Sequence, residues 1–305
     1  MKVLKFGGTS VGSAENIQKV KDILLGQTDN IIVVVSALGG ITDKILSAAK
    51  MAAIGTGYFQ AELTEINTRH FTTIEKLFSE NKQVEVKGKV SQLLEELGRI
   101  IHGVSLIGEL TPKTLDKVVG FGERLSSLII SEYITGSKWY DSSKLIRTNS
   151  DFGKAIVNFQ VTNTLIQEAF SGFSGIAIIP GFISSNDAEE YTTLGRGGSD
   201  YTGAIMAAAV DASSLEIWTD VNGFMTADPR VIRKAYTIKM LSYSEAMELS
   251  HFGAKVIYPP TILPVYKKGI PVLIKNTMEP KAEGTLITES KFNNKELPIK
   301  GISSI

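Results

Sequence analysis

The sequence has no cysteine, which excludes a disulfide, a thiolate nucleophile and any metal site built on sulfur. Histidine is scarce, and His70, His102 and His251 lie too far apart for a zinc spacing such as H-E-x-x-H. Long apolar runs are missing: Ile31–Val35 and Ile176–Pro180 are far too short to span a bilayer. An excess of one charge is missing too. The 32 basic and 32 acidic side chains cancel, leaving no global field to draw in nucleic acid or an anionic membrane. Strand and glycine loop begin almost at Met1, with no room for a signal peptide, so a cytoplasmic chain is expected. No G-x-x-x-x-G-K-[ST] occurs, no G-x-G-x-x-G follows a strand, and G-x-S-x-G is absent. Asp151-Phe152-Gly153 matches the protein-kinase D-F-G, but V-A-I-K and H-R-D are missing, so the match is a coincidence.

What the chain does have is glycine at strand ends. Met1 to Phe6 predicts a strand, Gly7-Gly8 opens a turn, and a helix is expected from Ser13 as N-cap to Leu25. Glycines without Cβ atoms let successive N–H groups point into one concavity, which suits a phosphate. Lys5, leaving the strand just before that turn, would set its ammonium against the same anion. Taken alone, the stretch also reads as a tight turn beside a solvated lysine. Ile31–Val35 is β-branched without alternation, as expected of a strand buried on both faces of a parallel sheet. It runs into a second glycine turn, Ser36 to Asp43, with Thr42 as the expected N-cap of the next helix. A third turn, Leu194 to Asp200, precedes a small-residue helix from Thr202 to Val210. Ligands of open parallel sheets bind beyond the carboxyl ends of the strands. Singly each turn is ordinary glycine punctuation. Together, carrying Thr9, Ser10, Ser36, Thr42, Arg196, Ser199 and Asp200, they would form a polar floor suited to an anion.

Residues 45–103 predict mostly helix, with breaks near Gly55-Thr56-Gly57 and Ser79 to Gln83. Thr111-Pro112 starts another helix. Gly120-Phe121-Gly122-Glu123 then interrupts the pattern, an interruption that would present Glu123, before a helix through Tyr133. Short strands are expected at Lys144–Arg147 and Ala155–Asn158, a helix at Asn163–Phe170 and a strand at Gly175–Ile179. A hairpin is expected across Phe182–Thr193, then a strand at Leu215–Asp220, helices at Tyr243–Ser250 and Ala254–Lys267, and a strand at Pro271–Lys275. The alternation predicts an α/β fold with a mostly parallel sheet covered on both faces. Thr219-Asp220-Val221 with Asp228-Pro229-Arg230 makes a second polar cluster, either a capped turn or a site where Arg230 binds a phosphate bidentately. Lys255, expected in a helix start after Phe252-Gly253, opposes the helix dipole and calls for an anionic partner.

Seven of these stretches occur in the order found in aspartokinases: K-F-G-G-T-S at 5–10, V-S-A-L-G-G-I-T at 35–42, G-F-G-E-R-L-S at 120–126, G-R-G-G-S-D at 195–200, W-T-D-V-N-G at 218–223, A-D-P-R at 227–230 and F-G-A-K-V at 252–256. Over Met1 to Thr288 the chain resembles the aspartokinase members of the amino acid kinase family, most of all the kinase half of bifunctional aspartokinase–homoserine dehydrogenases. The resemblance implies a three-layer α/β/α sandwich. It implies an aspartate-binding lobe over about 1–195 and an ATP-binding lobe over about 196–290. It implies transfer of the ATP γ-phosphoryl group to the side-chain carboxylate of L-aspartate with Mg2+, the first step of lysine, threonine and methionine biosynthesis. By motif position Lys5 would contact the transferring phosphate, and Gly7, Gly8, Thr9 and Ser10 would line the phosphate site. Arg196 would clamp a substrate carboxylate, Glu123 would meet the α-ammonium, and Ser36, Thr42, Gly197, Gly198 and Ser199 would complete the substrate site. Asp200 would organise Lys5 and the magnesium-phosphate end. Thr219, Asp220, Met225, Arg230 and Lys255 would face the nucleotide; Met225 stands where many relatives have tyrosine, and Tyr258-Pro259-Pro260 replaces the commoner His-Pro-x-Thr.

Residues 291–305 resemble a linker and the first strand of an ACT regulatory domain, so the chain is expected to be the catalytic part of a longer protein that assembles as a homodimer or higher homo-oligomer. A piece without its ACT domains would lack feedback control by threonine or lysine. Two other readings stay open on sequence: another acid kinase of the same fold acting on glutamate or acetylglutamate, and a nucleotide-binding module without turnover.

Overall fold

A computed structural model describes residues 1–227, 231–251, 256–289 and 301. In chain order it contains β1 (Lys2–Phe6), α1 (Ala14–Leu25), β2 (Ile31–Val35), α2 (Ile41–Ala53), α3 (Phe59–Leu77), α4 (Glu80–Ile107), α5 (Pro112–Val119) and α6 (Phe121–Tyr133). There follow β3 (Lys138–Trp139), α7 (Phe159–Phe170), β4 (Ile176–Pro180), β5 (Ile183–Ser185), β6 (Tyr191–Thr193) and α8 (Gly198–Ala209). The chain continues with β7 (Leu215–Thr219), β8 (Met240–Ser242), α9 (Tyr243–His251), α10 (Leu263–Lys268), β9 (Val272–Asn276) and β10 (Thr285–Thr288).

Eight strands form one sheet in the order β3-β4-β2-β1-β7-β9-β10-β8, and β5 with β6 forms a separate antiparallel hairpin. Neighbours in the large sheet are parallel except β9 and β10. Alternation along the strands divides the core in two. Leu4, Phe6, Val33 and Val35 pack on the side of α1 to α6, whereas Val3, Ile32, Val34 and Ile217 pack on the side of α7 to α10. The expected α/β/α sandwich with a mostly parallel sheet is therefore what the chain forms. No helix among the described residues is long and apolar enough to cross a membrane.

The local expectations fare unevenly. Ser13 caps α1 by accepting from the Asn16 N–H, and Thr111 caps α5 ahead of Pro112, both as the sequence suggests. Thr42 does not cap α2: the helix starts at Ile41 behind Gly40, whose φ of 82° only glycine adopts easily. The stretch around Gly120–Glu123 breaks the helix at Gly120 alone, and Glu123 stands in the first turn of α6. Lys144–Arg147 and Ala155–Asn158 are not strands; Ser142–Lys144 is a 3-10 turn, and only isolated bridges join Arg147 to Ser185 and Thr148 to Val157. The helix expected at Asn163 begins at Phe159, capped by the Asn158 side chain, and the one expected at Thr202 begins at Gly198. Of the helix expected over 254–267, residues 254 and 255 lie outside the described residues. The remainder is a 3-10 turn at Pro259–Ile262 followed by the short α10, because three prolines interrupt the hydrogen-bond ladder. The strands β3, β8 and β10 were not expected.

Candidate active site

Parallel pairing brings the carboxyl ends of β1, β2, β4, β7 and β9 to one edge of the sheet. Lys5 lies on the same face of β1 as Val3 and so points toward α8. It packs closely on Gly203, where an added Cβ would sit 3.4 Å from the Lys5 Cβ. The lysine stem thus runs along α8 and its ammonium reaches the first turn, where Nζ lies 2.6 Å from the Asp200 carboxylate. The two side chains are only 10% and 15% exposed. The contact is an ion pair rather than an aligned hydrogen bond, since Asp200 Oδ1 has no donor of good geometry among the described residues. The N-terminal end of α8 also favours a carboxylate at this position.

Glu123 forms the opposite wall. Gly122 lets α6 sit on the turn after β2, for a Cβ on it would lie 2.8 Å from the Ala37 Cβ. The Glu123 side chain is thereby buried, with Oε2 lacking a hydrogen-bond partner among the described residues. Burial pushes its pKa up to about 8, against the opposing pull of the Ala37 and Glu123 N–H groups and of the Lys5 charge. A neutral, half-satisfied carboxyl beside a lysine–aspartate pair is poised to receive a cation and give up its proton.

Between these walls lies a cleft of about 240 Å³ lined by Lys5, Ser36, Thr42, Glu123, Phe182, Gly195, Gly197, Gly198, Ser199 and Asp200. Most of the residues expected at a substrate site therefore meet. Phe182 was missed. It follows Gly181 at the end of β4 and holds a φ of 68°, a conformation costly for a bulky residue. The strain is maintained by neighbours, since its N–H donates to Thr202 Oγ1 and its carbonyl accepts from the Leu194 N–H. The Gly-Phe pair after an apolar run was the only signal in the sequence.

The first glycine turn has fewer free donors than its glycines suggest. The Gly7 N–H is not a free donor, because it continues the ladder to the Trp218 carbonyl at 3.0 Å. The N–H groups of Gly8, Thr9 and Ser10 make no hydrogen bond among the described residues. Ser10 is buried, and its hydroxyl donates to the Trp218 carbonyl and accepts from the Thr277 hydroxyl. Its side chain staples the turn to the ends of β7 and β9. Thr9 is exposed. Gly8 is required by packing: a Cβ on it would meet the Ala37 carbonyl at 3.2 Å, where the first two glycine turns lie against each other.

Arg196 sits between lining residues without lining the cleft; its guanidinium lies 5.6 Å over the Tyr258 ring, exposed to solvent. Thr219 and Asp220 follow one another at the end of β7, the hydroxyl donating to the carboxylate at 3.2 Å. Met225 pairs with Thr237 in an isolated bridge. Arg230 and Lys255 lie outside the described residues. No three acidic, histidine or cysteine side chains gather as a metal site among the described residues. Asp200 and Glu123 are the carboxylates that line the cleft.

The chain is similar to known proteins over nearly all of its length. The profile of the amino acid kinase family matches residues 1–276. The chain is 35% identical to lysine-sensitive aspartokinase 3 of Escherichia coli over 95% of its own length and 65% of the relative's. It is 35% identical to a bifunctional aspartokinase/homoserine dehydrogenase of Buchnera aphidicola over 100% of its length and 38% of the relative's. The crystal structure of E. coli aspartokinase III in complex with aspartate and ADP superposes with a TM-score of 0.87 at 34% identity, covering 96% of this chain and 65% of that one. The chain thus spans less than two thirds of each of these relatives.

Proposed function

The chain belongs to the amino acid kinase family, and from that premise we propose that it transfers the γ-phosphoryl group of ATP to the side-chain carboxylate of L-aspartate, giving 4-phospho-L-aspartate. The observation that carries the reading is the Lys5–Asp200 pair facing buried Glu123 across one small polar cleft, in a chain about a third identical to aspartokinases along its whole length.

The acceptor carboxylate has a pKa near 4 and is ionised at neutral pH, so no general base is needed. Catalysis then consists of alignment and neutralisation of phosphoryl charge. Lys5 supplies a positive charge at the junction of the two substrates, and the N–H groups of Gly8, Thr9 and Ser10 supply donors to the phosphate end. Glu123, once ionised, pairs with the α-ammonium, while Ser36 and Thr42 fix the substrate from the β2 side. Arg196, exposed and stacked on Tyr258, turns inward to the α-carboxylate. Thr219, Asp220 and Met225 belong to the nucleotide side, with Arg230 and Lys255. Mg2+ carried by the ATP phosphates would need few protein ligands; Asp200 would hold it, and it would supply charge neutralisation there. We place the protein in the cytoplasm, with residues 1–195 and 196–290 as aspartate and ATP lobes, residues 291–305 leading into an ACT domain and the full-length protein a homo-oligomer.

The deciding experiment is an assay coupled to ADP release, run with L-aspartate, L-glutamate and N-acetyl-L-glutamate in parallel. Turnover with L-aspartate above the other two is expected. Preference for either other acid, or ADP release with none, would overturn the proposal.

A further inference from the structure

A second cavity, of about 220 Å³, opens between α4, α6 and the edge strand β3. It shares no lining residue with the catalytic cleft. Leu93, Leu128 and Trp139 give it apolar walls, and Lys89, Gln92 and Arg124 bring its polar groups. The aromatic wall is held in place: the Trp139 indole N–H donates to Ser127 Oγ at 2.9 Å, while the side chain stays 38% exposed. A fixed, partly open indole offers apolar area at little entropic cost.

The two cations differ in what they have left to give. The Lys89 ammonium already sits 2.7 Å from Glu85 and 2.6 Å from Glu132. Arg124 has its guanidinium oriented by two rings, 4.6 Å over Phe121 and 5.3 Å over Tyr191. Its Nη2 lies 3.7 Å from Glu96, beyond hydrogen-bond reach, and its Nη1 is buried with no hydrogen-bond partner among the described residues. A buried charged donor without an acceptor is costly, and the planar fork of arginine matches a carboxylate.

We propose that this cavity binds a small apolar monocarboxylate, its carboxylate on Arg124 and its apolar body against Trp139, Leu93 and Leu128. A single negative charge is what the surroundings accept. Glu85, Glu96 and Glu132 stand among Lys82, Lys89, Lys117 and Arg124, which leaves one positive charge over, so phosphate or a dicarboxylate would meet the repulsion of the glutamates. The catalytic cleft, by contrast, is proposed to hold a dicarboxylic amino acid, and the two sites should load independently.

The test uses 3-phenylpropionate as probe, followed by ligand-observed NMR and titration calorimetry on the whole chain. Saturable binding is expected, unchanged by saturating aspartate and ADP, and weakened at least about tenfold, or about 1.4 kcal/mol, in Arg124→Gln. Leu93→Phe, which fills the cavity and leaves the charges alone, should abolish binding while the melting temperature stays near that of the parent; it decides the matter if Arg124→Gln fails to fold. The neutral amide 3-phenylpropanamide and inorganic phosphate should both bind at least tenfold more weakly. No saturable binding, displacement by aspartate, or indifference to Leu93→Phe would overturn the proposal.

Discussion

Lys5 and Asp200 are 195 residues apart in sequence and 2.6 Å apart in space, joined from the end of β1 to the first turn of α8. The relationship depends on strand alternation, which turns Lys5 toward α8, where the lysine stem packs beside Gly203. Neither charge reaches far into solvent, so the pair is preorganised where phosphoryl charge would develop. Lys5→Met should lower kcat about 100- to 1,000-fold, the range for removing one preorganised donor, with the aspartate KM within about threefold. Steady-state kinetics with varied aspartate check this, and an effect confined to KM would remove Lys5 from the phosphoryl-transfer role.

If Glu123 pairs with the α-ammonium as proposed, aspartate binding is a proton-linked event. Burial holds its pKa at about 8, so at pH 7 the free protein carries it mostly protonated, whereas an α-ammonium partner demands the carboxylate. Binding at pH 7 should therefore release close to one proton, seen as a dependence of the binding heat on the ionisation enthalpy of the buffer. The aspartate KM should fall as pH rises toward 8. Stability moves the other way. The native pKa exceeds the unfolded value, so the native state holds the extra proton and stability declines between about pH 4.5 and pH 8. Glu123→Gln should remove both the proton release and that part of the stability decline.

Ser10 tests whether a hydroxyl in a phosphate turn serves the phosphate. It is occupied on both sides, by the Trp218 carbonyl and the Thr277 hydroxyl. Ser10→Ala should cost about 1–3 kcal/mol of stability, the range for leaving buried polar partners unpaired. Urea unfolding measures the loss. The ATP KM should move less than about twofold, because only the side chain is changed and the backbone N–H remains.

The sequence discloses the strand ends better than the directions of the side chains on them. Gly7-Gly8 and Gly39-Gly40 punctuate apolar runs and reach one edge because the parallel pairing of β1 and β2 leaves them no other place, whereas the Gly195–Gly198 turn is brought there by the separate β5–β6 hairpin. What local pattern does not carry is backbone twist within a turn. Gly195 and Gly197 both take positive φ, which sends Arg196 out over Tyr258 while its neighbours line the cleft. Gly7 likewise looks like a donor until the β7 pairing claims its N–H. The strands β3, β8 and β10 have two to four residues, too few for a period to show, and exist because a neighbour supplies the ladder. Phe182 was hidden for another reason: a bulky residue at φ 68° contradicts its own propensity and is set by surrounding contacts.

Asp116 offers a test of how that cleft is held open. It is buried on α5, and its carboxylate accepts from the Thr193 N–H at 3.2 Å, the Thr193 hydroxyl at 2.8 Å and the Gly153 N–H at 2.9 Å. The β5–β6 hairpin belongs to a separate sheet, so these bonds, with the packing of α5 on β6, set where β6 ends. Two residues beyond Thr193 the chain enters the turn whose Gly195 to Asp200 segment forms one wall of the cleft. Glu123, on the other wall, follows α5 directly in α6. Loss of the anchor should let that wall drift without touching the nucleotide side. Asp116→Ala, which unpairs three donors, should cost about 2–4 kcal/mol of stability. It should raise the aspartate KM severalfold and leave the ATP KM unchanged, because Thr219 and Asp220 lie at the end of β7, away from α5. Thr193→Val removes one of the same bonds, and the double variant should lose less than the sum of the two, as expected of residues sharing a contact. Strict additivity in a double-mutant cycle, or equal changes in both KM values, would mean that Asp116 supports the fold at large rather than this wall.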